Sequence, residues 1–549
     1  MKRGGTVLLL ILAVLPVFSP AGTSAREKTP LMGWSSWNAF RVNISDSTIM
    51  NQARMLTELG LRDCGYRYVN IDDGFFGYRD GNGTMVPHST RFPSGLKPVV
   101  DYIHSCGLKA GIYTDAGTET CGSMYDGDIN GKTGGMFGHD RQDIDLYFNK
   151  WDFDYIKIDY CGAQKLGLDE EQRYSEIYRN IHRYARKDSI RINICRWAFP
   201  GTWASGAGDS WRISGDIRQR WSSIASIIRK NLYLSAFASD GHFNDMDILV
   251  IGFADRTAPI GGETLTYTEE EAHFGMWCIM SSPLVLGCDL RYIPQAALDL
   301  ISNPELISVN QDPLGLQAYV VQNNGTGYVL AKDLLEKRGN IRAVALYNPS
   351  DSACAFTVPL SAIEFNGKVR VRDMSRRTDL GKVKGCIRMT LPAHSARILK
   401  VEGKKRTDPV LYEAEWGYLP MFDDIGRAFP GIRHKENPAA SGGMTVSRSG
   451  SGKENCIEWK DVYSSSGGSC IMEISYAAVQ DSGNGSGGDI MVSINGREYT
   501  APVRDDSSAG SMQKISLHVN LDKGYNTVRF WNDSKWLPDI DCFTIVPVK

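Results

Sequence analysis

From about residue 30 to residue 315 the chain repeats one unit: a short apolar run closing on a polar or acidic cluster, then a stretch with helical spacing. The runs end at Trp34-Ser35-Ser36-Trp37, Asn70-Ile71-Asp72-Asp73, Tyr113-Thr114-Asp115, Lys157-Ile158-Asp159, Cys195-Arg196-Trp197, Ser214-Gly215-Asp216, Asn244-Asp245-Met246-Asp247 and Leu286-Gly287-Cys288-Asp289, eight in all. Between them, Asp46 to Leu59, Leu96 to Ser105, Asp169 to Arg186 and Glu269 to Met280 space their apolar residues by three and four, and Gly60 and Gly107 follow the first two as stops. Eight strand-then-helix units predict an α/β fold, a (β/α)8 TIM barrel over 26–315 whose functional residues gather at the C-terminal strand ends. A doubly wound open sheet uses the same alternation, but no glycine-rich phosphate fingerprint follows the first strand.

After Asn310-Gln311-Asp312-Pro313 the helical period gives way to alternating runs, which predict an antiparallel β-sandwich over 316–402. Gly403 to Pro409 reads as a linker. From 410 to 549 the chain is again strand and turn, with a Gly/Ser-rich turn at Asp481–Gly488, and reads as a second β-sandwich of jelly-roll type. At the other end, Lys2 and Arg3, the apolar run Val7 to Phe18 and the small residues Gly22 to Ala25 read as a secretory signal peptide, 1–25, cleaved after Ala25. Removal of its two cations takes the net charge from −2 to −4. The expectation is an exported protein in a periplasmic, secreted or lysosomal-type compartment. The near balance of 61 Lys and Arg against 63 Asp and Glu leaves no basic excess for nucleic acid or an anionic membrane. Export permits disulfides, but the 12 cysteines are thinly spread and show no metal-ligand spacing, so most are expected as free core thiols. Asn43, Asn82 and Asn324 head glycosylation sequons.

The barrel topology brings Asp72, Asp73, Asp115, Asp159, Asp216, Asp245 and Asp247 to one face, with Lys157, Arg212, Trp34, Trp37 and Trp197. Many carboxylates, a few cations and indole faces suit a neutral polyol, since carboxylates accept from hydroxyls and aromatic rings cover the C–H faces of a sugar. Two carboxylates flanking a glycosidic bond are the minimum machinery for its hydrolysis. A divalent-cation site is the competing reading of clustered Asp, against which Lys157 places an ammonium two residues from Asp159. Acids acting only as strand-end caps are the plain structural alternative.

Met32-Gly33-Trp34-Ser35-Ser36-Trp37-Asn38, Asn70-Ile71-Asp72-Asp73, Gly107 to Tyr113, Lys157-Ile158-Asp159-Tyr160-Cys161, Ser210 to Asp216 and Asn244 to Asp247 resemble, in order and spacing, the motifs of glycoside hydrolase family 27 over about residues 29 to 400. These are the retaining α-galactosidases and α-N-acetylgalactosaminidases. The resemblance implies Asp159 as nucleophile and Asp216 as acid/base, and no cofactor for catalysis. It implies a galactose site in which Asp72 and Asp73 hold the 6- and 4-hydroxyls, Lys157 donates to the 3- and 4-hydroxyls, Arg212 lies near the 2- and 3-hydroxyls, and Trp37 and Tyr113 form walls. Cys195, Arg196 and Asp247 complete the expected binding set. Asp159 is expected ionised beside Lys157, Asp216 protonated, with carboxyl groups about 5–6 Å apart.

The resemblance also implies a Cys121–Cys161 disulfide beside the nucleophile, while Gly74 stands where many members have Cys. Arg196 departs from the acid, amide or small residue found there. It either donates to the 2-hydroxyl or pairs with an acid, and its bulk favours galactose over N-acetylgalactosamine. With Asp72 and Asp73 intact, a β-L-arabinopyranoside is expected to be a slow side substrate. A galactose-binding protein without turnover would need Asp159 or Asp216 replaced, and both are present. Tyr412 to Glu415, Ser441 to Gly443 and Asp539 to Asp541 resemble a carbohydrate-binding module of galactose-binding-like type, in which Glu413, Glu415 and Asp541 either hold a structural calcium or are surface acids. The sequence implies a carbohydrate partner and sets no oligomeric state.

Overall fold

The computed structural model describes residues 29–239, 241–253, 261–423, 431–478, 487–503 and 511–548. The expected signal peptide and most of the Asp481–Gly488 turn lie outside the described residues. No helix among the described residues is long and apolar enough to cross a membrane.

Eight parallel strands form one sheet: β1 Met32–Ser35, β2 Tyr68–Ile71, β3 Lys109–Asp115, β4 Tyr155–Asp159, β5 Arg191–Ile194, β6 Ser210–Arg212, β7 Phe243–Asp245 and β8 Leu284–Leu286. They pair in sequence order, and β8 returns to β1 through Met32↔Leu284. The remaining gap is bridged after β7, where Leu249 N donates to Val285 O at 2.7 Å and Gly287 N to Leu249 O at 3.2 Å. All eight expected strand ends therefore open on the same rim. The strands are almost wholly buried, which is why they read as apolar runs without alternation.

Three of the longer intervening helices start where a side chain satisfies a free N–H group. Ser45 Oγ accepts from Thr48 N at the head of α1 (Asp46–Glu58), which gives way to the left-handed Gly60, φ 72°. After α2 (Lys97–Ser105), Asp169 Oδ1 accepts from Gln172 N at 2.8 Å to cap α3 (Glu170–Tyr184). Beyond α4 (Trp221–Asn231), Thr266 and Glu269 form a reciprocal capping box on α5 (Tyr267–Ile279).

After the barrel come two antiparallel sheets within residues 319–403, the larger running Tyr319–Asn323, Tyr328–Asp333, Ile341–Asn348, Ser395–Gly403, Lys368–Asp373, Thr378–Lys384. Buried Lys332 fastens this sheet to the barrel by donating to Ser281 Oγ at 2.7 Å and Val309 O at 2.8 Å. Two further antiparallel sheets lie within 411–547 and meet through Trp459 and Phe530 of one and Phe543 of the other, ring centroids 4.8 and 5.5 Å from Phe543.

The Gly403–Pro409 segment is not the free tether that its composition suggests. Arg406 is buried against Glu364, Nη2 to Oε2 2.7 Å, and Asp333, Nη1 to Oδ1 3.1 Å, in a cluster shared with Arg338 and Arg342. The guanidinium charges hold Glu364 down at about 2 despite its burial.

Gly74 explains one departure from the family pattern. Its φ is 116°, and a Cβ there would lie 2.6 Å from Val42 O and 2.8 Å from Val42 Cα. A Cys cannot stand here without moving the loop after β1. Gly74→Ala is expected to destabilise the protein by about 3 kcal/mol or more; an unchanged denaturant midpoint would contradict this geometry.

Candidate active site

Asp159 ends β4, buried to 5% exposure, and its Oδ1 accepts from Tyr160 N at 3.0 Å. Two residues earlier on the same face, Lys157 Nζ lies 3.0 and 3.3 Å from the Asp72 oxygens. Asp72 is also held by Ser35 Oγ at 3.1 Å and Asn70 Nδ2 at 3.3 Å, while its own N–H donates to Ser36 Oγ at 3.0 Å. The Ser-Ser pair closing β1 thus fixes the Asp pair closing β2. Asp73 Oδ1 accepts from Gly74 N at 2.8 Å and its Oδ2 from Gly122 N at 2.7 Å. Tyr113, buried on β3, accepts from Cys121 N through its hydroxyl, with the Lys157 ammonium 5.4 Å from its ring centre.

Across the rim, Arg212 ends β6; its Nη2 forms an ion pair with Asp247 Oδ2 at 2.8 Å and donates to Asp216 Oδ1 and Ser214 O, both at 3.1 Å. Its Nη1 lies 3.8 Å from the sulfur of Cys195, a buried free thiol. Asp247 adopts φ 78° and accepts from Ile217 N and Ile248 N, both at 2.8 Å. That ties the loop after β7 to the loop carrying Asp216.

The loops after β3 and β4 touch beside Asp159. A Cβ on Gly117 would lie 2.1 Å from Ala163 N, and the Cys121–Cys161 disulfide joins the same loops with Cα atoms 5.3 Å apart. Asp115 Oδ1 accepts from the N–H groups of Gly117, Gly162 and Ala163 at 2.6, 3.1 and 3.2 Å. This carboxylate is a loop clamp rather than a sugar ligand. Asp245 is likewise occupied, accepting from Asn193 Nδ2 at 2.8 Å and Asp247 N at 2.9 Å.

One further expectation needs correction. Trp34 is fully buried and donates through Nε1 to Cys288 O at 2.7 Å, so it fixes the end of β8 and forms no wall. Trp37 is half-buried, with the Arg41 guanidinium 4.2 Å from its ring centre. Arg196 takes the second of its two alternatives: Nε donates to Glu170 Oε2 at 2.9 Å, and the guanidinium lies 5.6 and 5.2 Å from the rings of Tyr160 and Trp197. Glu170 had no local sequence signal, being 26 residues from its partner.

The proton distribution also differs from expectation. Burial pushes Asp159 up to about 6, with Lys157 opposing and Asp216 reinforcing the rise. For Asp216 burial also favours the neutral form, but Arg212 and Lys157 outweigh it and its carboxyl is held below the usual range. Burial thus biases Asp159 toward its neutral form, while Arg212 and Lys157 bias Asp216 toward its ionised form. A sugar ring covering Asp216 would remove its solvent, and a leaving oxygen placed against it would offer the proton a destination. Burial also raises Asp247 to about 6 and Asp73 to about 7.

The sequence pattern of the family described as Alpha galactosidase A matches residues 29–312. Alpha-galactosidase 3 of Arabidopsis thaliana is 37% identical over 381 residues, covering 68% of this chain and 81% of that protein. The alpha-galactosidase of Coffea arabica is 37% identical over 375 residues, covering 67% of this chain and 93% of the relative. Alpha-galactosidase I of Mortierella vinacea superposes with a TM-score of 0.61 at 30% identity, covering 69% of this chain and 98% of that structure.

An acid/base pair that must share one proton loses activity as that proton leaves. Since kcat/KM reports the free protein, it is expected to fall as pH rises through about 6, the value to which Asp159 is raised. A profile flat from pH 5 to 8 would contradict the proton placement. Taken with the matched residues and relatives, this site shows that the chain belongs to the α-galactosidase family, glycoside hydrolase family 27.

Proposed function

We propose that the protein is a retaining exo-α-galactosidase that removes terminal α-D-galactosyl residues from oligo- or polysaccharides. One observation carries the reading: two carboxylates on the same rim, Asp159 at the end of β4 with the Lys157 charge acting on it, and Asp216 beyond β6 held by Arg212. In the first step Asp159 attacks the anomeric carbon and the bond to the leaving oxygen breaks as Asp216 gives that oxygen its proton. A glycosyl ester on Asp159 results. Asp216, now ionised, takes a proton from water, whose oxygen attacks the same carbon and restores Asp159, so two inversions give net retention. Esterification removes the negative charge of Asp159, which makes Asp216 easier to ionise when it must act as base.

In the ring-binding set, Asp72 and Asp73 take the 6- and 4-hydroxyls, Lys157 the 3- and 4-hydroxyls, and Arg212, with Cys195 beside it, the 2-position side. Asp247 acts through Arg212, while Trp37 and Tyr113 are walls. Arg196, tied to Glu170, leaves the direct contacts to its neighbours. A ligand lacking the 6-hydroxyl would leave part of the buried Asp pair unsatisfied, at about 1–3 kcal/mol. That disfavours β-L-arabinopyranosides.

The proposed division is a catalytic barrel at 26–315, a β-domain at 316–402 and a galactose-binding-like jelly roll at 410–549, exported after loss of 1–25. The jelly roll offers a calcium site. Glu413, Glu415 and Asp541 are 5%, 2% and 3% exposed, and Glu413 Oε2 and Glu415 Oε2 have no hydrogen-bond partner in the structure. Burial together with the neighbouring Asp541 lifts Glu413 to about 7, and burial with Glu413 raises Glu415 well above the usual carboxylate range. Clustered buried carboxylates with free oxygens fit a hard cation, which would be structural and take no part in catalysis.

Asp159→Asn and Asp216→Asn are each expected to lower kcat for an α-galactoside by about 10³-fold or more. Across nitrophenyl α-D-galactopyranoside, β-L-arabinopyranoside and α-N-acetylgalactosaminide, the first should give the highest kcat/KM; preference for either of the others overturns the sugar assignment. Chelator-treated protein should melt several degrees lower than protein with added calcium, and equal midpoints would remove the calcium site.

A further inference from the structure

The loop between β5 and β6 begins with Cys195, Arg196 and Trp197, and Cys195 N donates to Ile158 O at 2.8 Å, one residue before the nucleophile. Its barrel side is fixed by stacking: Trp203 on Tyr174 at 5.9 Å and Tyr174 on Tyr160 at 5.6 Å, Tyr160 being the residue after Asp159. Its outer side is held by a remote part of the chain. Thr202 Oγ1 donates to Pro420 O at 2.8 Å, and the Phe199 ring lies 5.4 Å from Phe422. Phe422 stacks on Phe237 at 5.3 Å, with Tyr418 5.4 Å from the same ring. Phe199, Phe237 and Phe422 are 1%, 7% and 9% exposed, so this is a closed apolar joint.

The gripping segment belongs to the C-terminal sheets. Tyr418 N donates to Glu458 O at 2.7 Å and accepts back through its carbonyl from Glu458 N at 2.9 Å. It also lies more than 100 residues beyond 312, where the family match ends. The matched relatives cover about two thirds of this chain, so this buttress is an addition to the shared catalytic unit.

We propose that Tyr418–Phe422 is a positioning element of the active site, holding the β5–β6 loop so that Cys195, where that loop begins, stays set beside Arg212 on the 2-position side of the bound sugar. None of these C-terminal residues touches the reacting atoms. The C-terminal sheets would thus serve the barrel mechanically, whether or not they bind sugar themselves. The kinetic consequence rests on the glycosidase reading; the mechanical one does not.

The test uses the full chain with Thr202→Val, Thr202→Ser and Phe422→Ala. Thr202→Val keeps the shape and removes one hydrogen bond, Thr202→Ser restores the hydroxyl, and Phe422→Ala opens the apolar joint. Amide exchange in peptides covering 196–207 is expected to rise about fivefold or more in Thr202→Val and Phe422→Ala, while peptides covering 109–115 and 155–159 stay at the parent rate. KM for the α-galactoside should rise about fivefold with kcat within about twofold, and Thr202→Ser should match the parent protein. The proposal is overturned if exchange at 196–207 is unchanged in Thr202→Val. It is also overturned if protection falls equally in all three regions while KM holds, since that describes lost stability alone. A parent protein without hydrolytic activity would defeat the glycosidase reading and leave the exchange comparison standing.

Discussion

A single ammonium sets the charge state of the pocket. Lys157 is buried among carboxylates: burial works against its charge, but Asp72, Cys195 and Asp159 outweigh that and raise its pKa well above the usual lysine range. Its 3.0 Å contact with Asp72 holds that carboxylate in place, and its charge limits how far burial can neutralise Asp159. Replacing it with a neutral side chain would leave several buried acids without compensation, which costs far more than an exposed ion pair is worth. Arg212 plays the matching part on the opposite side for Asp216 and Asp247.

The protein surrounds these two cations with carboxylates of different duties, and the duty follows from what each oxygen already accepts. Asp245 accepts on both oxygens and Asp115 takes three backbone N–H groups on Oδ1, so both serve as struts between loops. Asp73 is engaged by two backbone N–H groups, which orient it while leaving lone pairs for a ligand. Asp216 is the half-exposed member, its environment still to be completed by what binds.

Features written into contiguous residues were the legible ones. Eight apolar runs ending in polar clusters gave the parallel sheet, because buried parallel strands carry no alternation to confuse them with surface strands. The Asp159 and Asp216 positions and the Cys121–Cys161 bridge came through motif order. What escaped was set by long-range packing. Trp34 was counted as a pocket wall, although its indole turns into the interior toward Cys288 O. Arg196 was a candidate sugar contact until Glu170, 26 residues earlier, supplied its partner. The basic, proline-ended segment 403–409 has the composition of a tether, yet Arg406 is drawn into a buried ionic cluster. The Thr202–Pro420 contact joins residues 218 apart, beyond the reach of any local pattern.

The assignment of Asp159 as the atom-donating nucleophile is the claim on which the rest of the chemistry depends. Incubation with a 2-deoxy-2-fluoro-galactosyl donor bearing a good leaving group slows both steps but hydrolysis of the ester more, so the covalent species accumulates. Mass spectrometry of the digested protein should then find one galactosyl-derived adduct, on the peptide containing Asp159 and at that carboxyl. An adduct on Asp216 or any other residue, or inactivation without covalent attachment, would contradict the account.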